Sequence, residues 1–175
     1  MFLRNAKDET MGVLDDYLVN PDISLLDKTS IQAQVLVPVM RALRAELGRD
    51  KADAIVTEAL RGWSREVFAA IGDGIEGPPG KKFAKMDKAL AEVTLQEVTV
   101  DMHRRDREAV EFDITSCRFA DFFRSLDEPE LGALLVCQTD IDIAAAGGDD
   151  VKFRRDQTIM KGAPSCTFRY KFAPR

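Results

Sequence analysis

The apolar residues of this chain change their period once, near residue 92. Before that point they recur every three to four residues, as amphipathic helices require. After it they alternate, as half-buried strands require. Helices first and strands second make an α+β domain: an N-terminal helical half packed on a mostly antiparallel four-stranded sheet, with two short helices between hairpins. The segment Gly72-Asp-Gly-Ile-Glu-Gly-Pro-Pro-Gly80, rich in helix breakers, lies just ahead of the change. A length of 175 residues suits one domain, 1–175, with a helical half (1–91) and a sheet-bearing half (92–175).

The helical half reads as follows. Residues 2–19 place Leu3, Ala6, Met11, Leu14 and Leu18 at helical spacing, and Asn20-Pro21-Asp22 ends that run. Thr29-x-x-Gln32 has the form of a capping box that opens a second helix. Its expected apolar face is Ile31, Val35, Val39, Leu43 and Leu47, with a kink or interruption at Pro38 and an end at Gly48. Asp50 can cap a third helix, whose stripe of Ala52, Ile55, Val56, Ala59, Leu60, Trp63, Val67 and Ile71 is the strongest in the chain. Residues 81–91 give a short fourth helix.

In the second half, Val98, Val100 and Met102 alternate with polar residues, as do Val110, Phe112 and Ile114. With the polar turn Arg104-Arg105-Asp106-Arg107 between them they read as a hairpin. Residues 117–126 and 129–140 read as short helices, and 144–150 as a loop of small residues. Residues 151–160 and 165–172 read as strands around Gly162-Ala163-Pro164. Cys166, Phe168, Tyr170 and Phe172 share one face of the last strand.

Composition removes several classes of site. One histidine excludes any centre built on two histidine ligands. Three cysteines without a CxxC pair argue against a disulfide framework, a zinc ribbon and a thioredoxin motif. The net charge of −5 lacks the basic bias of a nucleic-acid binder. No membrane span and no signal peptide are read, so the expectation is a cytoplasmic chain with free thiols, no cofactor and no metal.

The three cysteines all fall in the sheet-bearing half. Cys117 stands where a strand gives way to a helix, so a helix N-terminus is expected to lower its pKa. Cys137 lies three residues before Asp140, and both can share a helix face. Asp140 is near the expected helix end, where the dipole raises a carboxyl and suits it to proton transfer. Cys166 falls on the apolar strand face. A buried free cysteine is more often a small hydrophobe than a reactive group, and the separations of 20 and 29 residues match no common zinc module. His103 sits beside an arginine-rich turn and is expected to be exposed.

The ordered strings Asp113-Ile-Thr-Ser-Cys117, Pro129-Glu-Leu131, Cys137-Gln-Thr-Asp140, Phe153-Arg-Arg-Asp-Gln-Thr158 and Gly162-Ala-Pro-Ser-Cys166-Thr-Phe168 resemble the L-2-amino-thiazoline-4-carboxylic acid hydrolase family. That resemblance implies hydrolysis of a cyclic amidine C–N bond in a thiazoline ring, yielding a carbamoyl-cysteine. It brings forward Cys117, Cys137, Asp140 and Cys166 as candidate catalytic residues. A thiolate at Cys117 or Cys137 could attack the ring carbon, or Asp140 could activate a water. Arg154, Arg155 and Arg169 are candidates for the substrate carboxylate, although Arg154 and Arg155 face opposite ways on a strand. The second half also resembles the vinyl-reductase-4 type of small-molecule-binding domain, in which the thiols would line an apolar cavity without catalysis. A third reading is an interaction protein that forms a homodimer through an apolar helix face.

Overall fold

The computed structural model of the chain describes residues 23–94 and 97–173. The helix expected over 2–19 lies outside them. Three helices come first: α1 (Leu25–Leu47), α2 (Arg49–Asp73) and α3 (Pro79–Thr94). A hairpin of β1 (Val98–Arg105) and β2 (Ala109–Cys117) follows, then α4 (Arg118–Ser125). A compound helix runs over Pro129–Asp150. It starts with a single α turn (Pro129–Gly132), widens to a π turn (Ala133–Cys137) and tightens into a 3₁₀ stretch (Thr139–Asp150). The chain ends with β3 (Val151–Arg154), a 3₁₀ turn (Ile159–Lys161) and β4 (Cys166–Phe172).

The four strands form one antiparallel sheet in the order β1-β2-β4-β3. The expected α+β class therefore holds, with the helices leading. Register places Ile114 opposite Cys166, Phe112 opposite Phe168 and Val110 opposite Tyr170. Alternation turns Cys166, Phe168, Tyr170 and Phe172 to the core, all buried. There Phe112 stacks on Phe168 at 4.8 Å between ring centroids, and Phe83 of α3 meets Tyr170 at 4.3 Å. Phe119 and Phe123 of α4, with Leu131 and Leu134 of the compound helix, close the same core.

Local chemistry departs from the sequence reading in several places. Helix α1 begins four residues before Thr29, because the Ser24 hydroxyl caps the Asp27 amide at 3.0 Å. The Thr29 hydroxyl instead donates back to the Leu25 carbonyl at 2.9 Å. The helix runs unbroken through Pro38. Its buried face is Ala33, Val37 and Met40. The expected face is turned outward, with Ile31 56%, Val35 64% and Val39 47% exposed. Apolar residues ring this helix on more than one side, and the side with the smaller Ala33 is the one that packs. The stripe on α2 is likewise split: Ala52 and Val67 are buried, while Ile55 and Trp63 are largely exposed. Gly48, at φ 79, is the left-handed joint between the two helices and takes the capping position expected of Asp50.

The stretch 144–150, expected as a loop, belongs to the 3₁₀ run and breaks only at Gly148, φ 70. The strand expected over 151–160 stops at Arg154. Beyond it, the Asp156 amide donates to the Thr167 hydroxyl at 3.0 Å instead of to a neighbouring backbone carbonyl.

Among the described helices, only Pro129–Asp150 is long and apolar enough to cross a membrane by length and composition. In this fold it lies against α2. The buried Asp142 carboxylate receives Arg61 Nη2 at 3.2 Å and the Ser64 hydroxyl at 3.2 Å, with Arg65 at 3.5 Å. A buried carboxylate needs such compensation. Where α2 crosses near Ala146, a Cβ built on Gly72 would stand 1.9 Å from the Ala146 carbonyl oxygen, so the approach requires glycine.

Candidate functional site

Three elements bring the candidate residues together. Cys117 ends β2 and is the N-cap residue of α4. Its strand is pinned at the base, where buried Glu97 takes the Arg118 guanidinium at 2.7 Å. Cys137 closes the π turn, and Asp140 follows in the first turn of the 3₁₀ stretch. Cys166 opens β4, and its sulfur accepts the Ile159 amide at 3.1 Å. Cys137 and Cys166 are buried and Cys117 is half-buried; all three are free thiols. They are close enough for their charges to couple, each to the others or to Asp140.

Arg155 holds this cluster. One guanidinium nitrogen donates to Asp140 Oδ2 at 2.6 Å, and the other to the Cys137 carbonyl at 2.7 Å. Its plane lies 5.5 Å from the Phe168 ring centroid and 6.0 Å from that of Phe153, within cation–π range. Only 9% of the Arg155 side chain is exposed. Asp140 Oδ1 accepts no hydrogen bond from the described residues.

Burial dominates the electrostatics. Protein atoms surround the Asp140 carboxyl, although 30% of its side-chain surface remains open. Desolvation pushes its pKa up to about 6, against the opposing pull of Arg155. The upward direction agrees with the sequence reading, but its cause is burial rather than a helix C-terminus. For Cys117 the expectation fails. The Ala120 and Phe119 amides do pull its pKa down, yet burial outweighs them and the thiol is raised. Burial also raises Cys166, and raises Cys137 far above the usual thiol range with Asp140 adding to the shift. At neutral pH all three are thiols, not thiolates.

A depression of ≈ 450 Å³ opens beside the cluster, between the compound helix and the chain leaving β3. Cys137, Gln138, Ile141, Arg155, Thr158 and Lys161 are among its lining residues. Arg154 reaches its rim, 77% exposed and paired with Asp156 at 2.8 Å. Arg169 lies on the opposite face of β4 from Cys166. There it pairs with Asp113 at 2.7 Å and donates to the Phe112 and Phe168 carbonyls. His103, on the edge strand β1, touches the other Asp113 oxygen at 3.2 Å. Burial raises the Asp113 carboxyl, but Arg169 and His103 together outweigh it and the pKa is lowered. Among the described residues no three His, Cys, Asp or Glu side chains are grouped as metal ligands.

Sequence reasoning passed over Gln138, Thr158 and Lys161. Gln138 and Thr158 sit within the motif strings, where alternation and spacing gave them no role. Lys161 falls between the strand read over 151–160 and the turn read at Gly162-Ala163-Pro164.

The fold is a small α+β domain whose depression is lined by Cys137 and by Arg155, the guanidinium that holds Asp140; Cys117, Cys166 and Asp140 are not among its lining residues. The model of the L-2-amino-thiazoline-4-carboxylic acid hydrolase family matches residues 28–170, and the chain belongs to that family. No curated protein matches the chain. Among solved structures, the phenol-responsive sensory domain of the transcription activator PoxR, with phenol, is similar at 18% identity. The alignment covers 78% of this chain and 72% of that one, with a TM-score of 0.49.

Proposed function

We propose that this chain hydrolyses a C–N bond of a small cyclic amidine of the thiazoline-carboxylate type, with Asp140 as the proton-transfer group. The observation that carries the reading is the Asp140–Arg155 pair, of which Arg155 lines the depression and the carboxyl has a pKa of about 6. A base with a pKa near the working pH is half-ionised where it is needed and still accepts a proton well. Asp140 Oδ2 is tied to Arg155, which leaves Oδ1 for water. The water loses a proton to Oδ1 as its oxygen bonds to the amidine carbon. The ring C–N bond then breaks, and the proton passes to the departing nitrogen. Water is a better-supported nucleophile than Cys117 or Cys137, because both thiols are protonated at neutral pH.

A second reading, a non-catalytic ligand-binding domain of the vinyl-reductase-4 type, draws on the same thiols. Buried, protonated sulfurs suit a cavity wall as well as they suit a hydrolase that uses water. A turnover assay separates the readings, and thiol alkylation tests the choice of water over cysteine as nucleophile. Incubation with L-2-amino-thiazoline-4-carboxylate is expected to give a product heavier by one water on mass spectrometry; binding without that product would sink the hydrolase. Alkylation of the native protein by iodoacetamide is expected to accelerate only above about pH 9, past the ordinary thiol pKa. A thiol that reacts fully near pH 7 would reinstate the cysteine nucleophile.

A further inference from the structure

The arginines expected to take a ligand's carboxylate are already engaged. Arg155 is held by Asp140 and the Cys137 carbonyl, Arg169 by Asp113, and Arg154 by Asp156. Lys161 is the one cation lining the depression that has no partner among the described residues. Thr158 lines it too and is 6% exposed, and its buried hydroxyl has no hydrogen-bond partner. A buried hydroxyl left without a protein partner is unusual.

The backbone places these two groups together. Thr158 is the N-cap of the 3₁₀ turn Ile159–Lys161, and the Lys161 amide donates to the Thr158 carbonyl at 3.1 Å. Thr158 is extended at the head of the turn and buried, Lys161 is exposed at its end, and both line the depression. Gly162, at φ 91, closes the turn in the left-handed region. The Ile159 amide on Cys166 Sγ and the Arg124 guanidinium on the Ile159 carbonyl fix the turn from both flanks.

We propose that Thr158 and Lys161 are the carboxylate-recognition pair of the depression: the ammonium balances the ligand's negative charge and the hydroxyl donates a hydrogen bond to it. This assignment rests on the reading of the depression as a small-molecule site, and it places the recognition end on the 3₁₀ turn rather than on the arginines. Lys161 is exposed, so its replacement leaves the core untouched.

Calorimetric titration tests the pair with two probes, L-2-amino-thiazoline-4-carboxylate and 2-amino-2-thiazoline, which lacks the carboxylate. K161M is expected to weaken binding of the acid at least about tenfold, the scale of a lost hydrogen bond to a charged group. The same variant is expected to bind the uncharged-end probe as the wild type does. T158V is expected to weaken the acid by several-fold, and T158S to keep most of the affinity. Equal affinity of K161M and wild type for the acid would overturn the assignment while leaving the hydrolase reading intact. Carboxylate-selective binding lost in K161M, without turnover in the wild type, would support the pair and sink the hydrolase. Absence of binding of either probe to the wild type would overturn both.

Discussion

Asn in place of Asp140 is expected to lower turnover of L-2-amino-thiazoline-4-carboxylate by roughly 10²–10⁴-fold, the range for loss of a positioned acid–base group. The amide oxygen can still accept from Arg155, so the guanidinium keeps a partner and the variant folds. The pH profile supplies the sharper readout. A base must be deprotonated to work, so kcat/KM of the wild type rises with pH through about 6, and this limb disappears in D140N. Stability moves in the opposite sense. The folded-state pKa of Asp140 lies above its ordinary value of 3.8, so folding favours the protonated form. The resulting penalty is absent below about pH 4, grows towards pH 6 and is complete above it. D140N is therefore expected to gain on the wild type in melting temperature as the pH rises from 4 to 7. Full activity with an unaltered acid limb in D140N would end the case for Asp140.

The largest effect on stability is expected at Gly72. Its Cβ would lie 1.9 Å from the Ala146 carbonyl oxygen and 2.5 Å from the carbonyl carbon, so both sides of the clash are backbone and no rotamer relieves it. G72A is expected to destabilise by about 3 kcal/mol, at the upper end for overpacking. For a chain of this size that lowers the melting temperature by roughly 6–12 °C. The control lies on the same helix. Gly62 has nothing within 4 Å of an added Cβ. There alanine keeps only its helix propensity, so G62A is expected to be stabilising by up to about 1 kcal/mol. Thermal melts of the two variants at one pH decide the matter, and equal melting temperatures would contradict the close approach.

Much of the sheet was legible because its residues obey a strict period of two. Cys166, Phe168, Tyr170 and Phe172 had to share a face whatever their partners, and the hairpin was marked by its polar turn. The helices were legible as helices, but their packed faces were not. Helix α1 carries apolar residues on several sides, and the winning side depends on what α2 and the sheet offer. The later part of the 3₁₀ run, 144–150, was hidden by alanine, glycine and aspartate, which read as loop. In that run Asp142 is held by a guanidinium and a hydroxyl more than 75 residues away in sequence, and no spacing rule reaches that far. The convergence of Cys117, Cys137, Asp140 and Cys166 came from the ordered motifs, not from spacing. The arginine that holds Asp140, Arg155, was one of three candidates. Alternation past Phe153 sets it on the core side, over the Phe153 and Phe168 rings.

The π turn at Ala133–Cys137 sets where a change of length can be absorbed. A π turn holds one residue more than the α turn it replaces. Deleting a residue there would restore the narrower winding and leave everything downstream in phase, so Asp140 would keep Arg155, and Asp142 would keep Arg61 and Ser64. A deletion between Asp140 and Asp142 has no surplus residue to give up, and it would turn one acid away from its partners by about 100° or more.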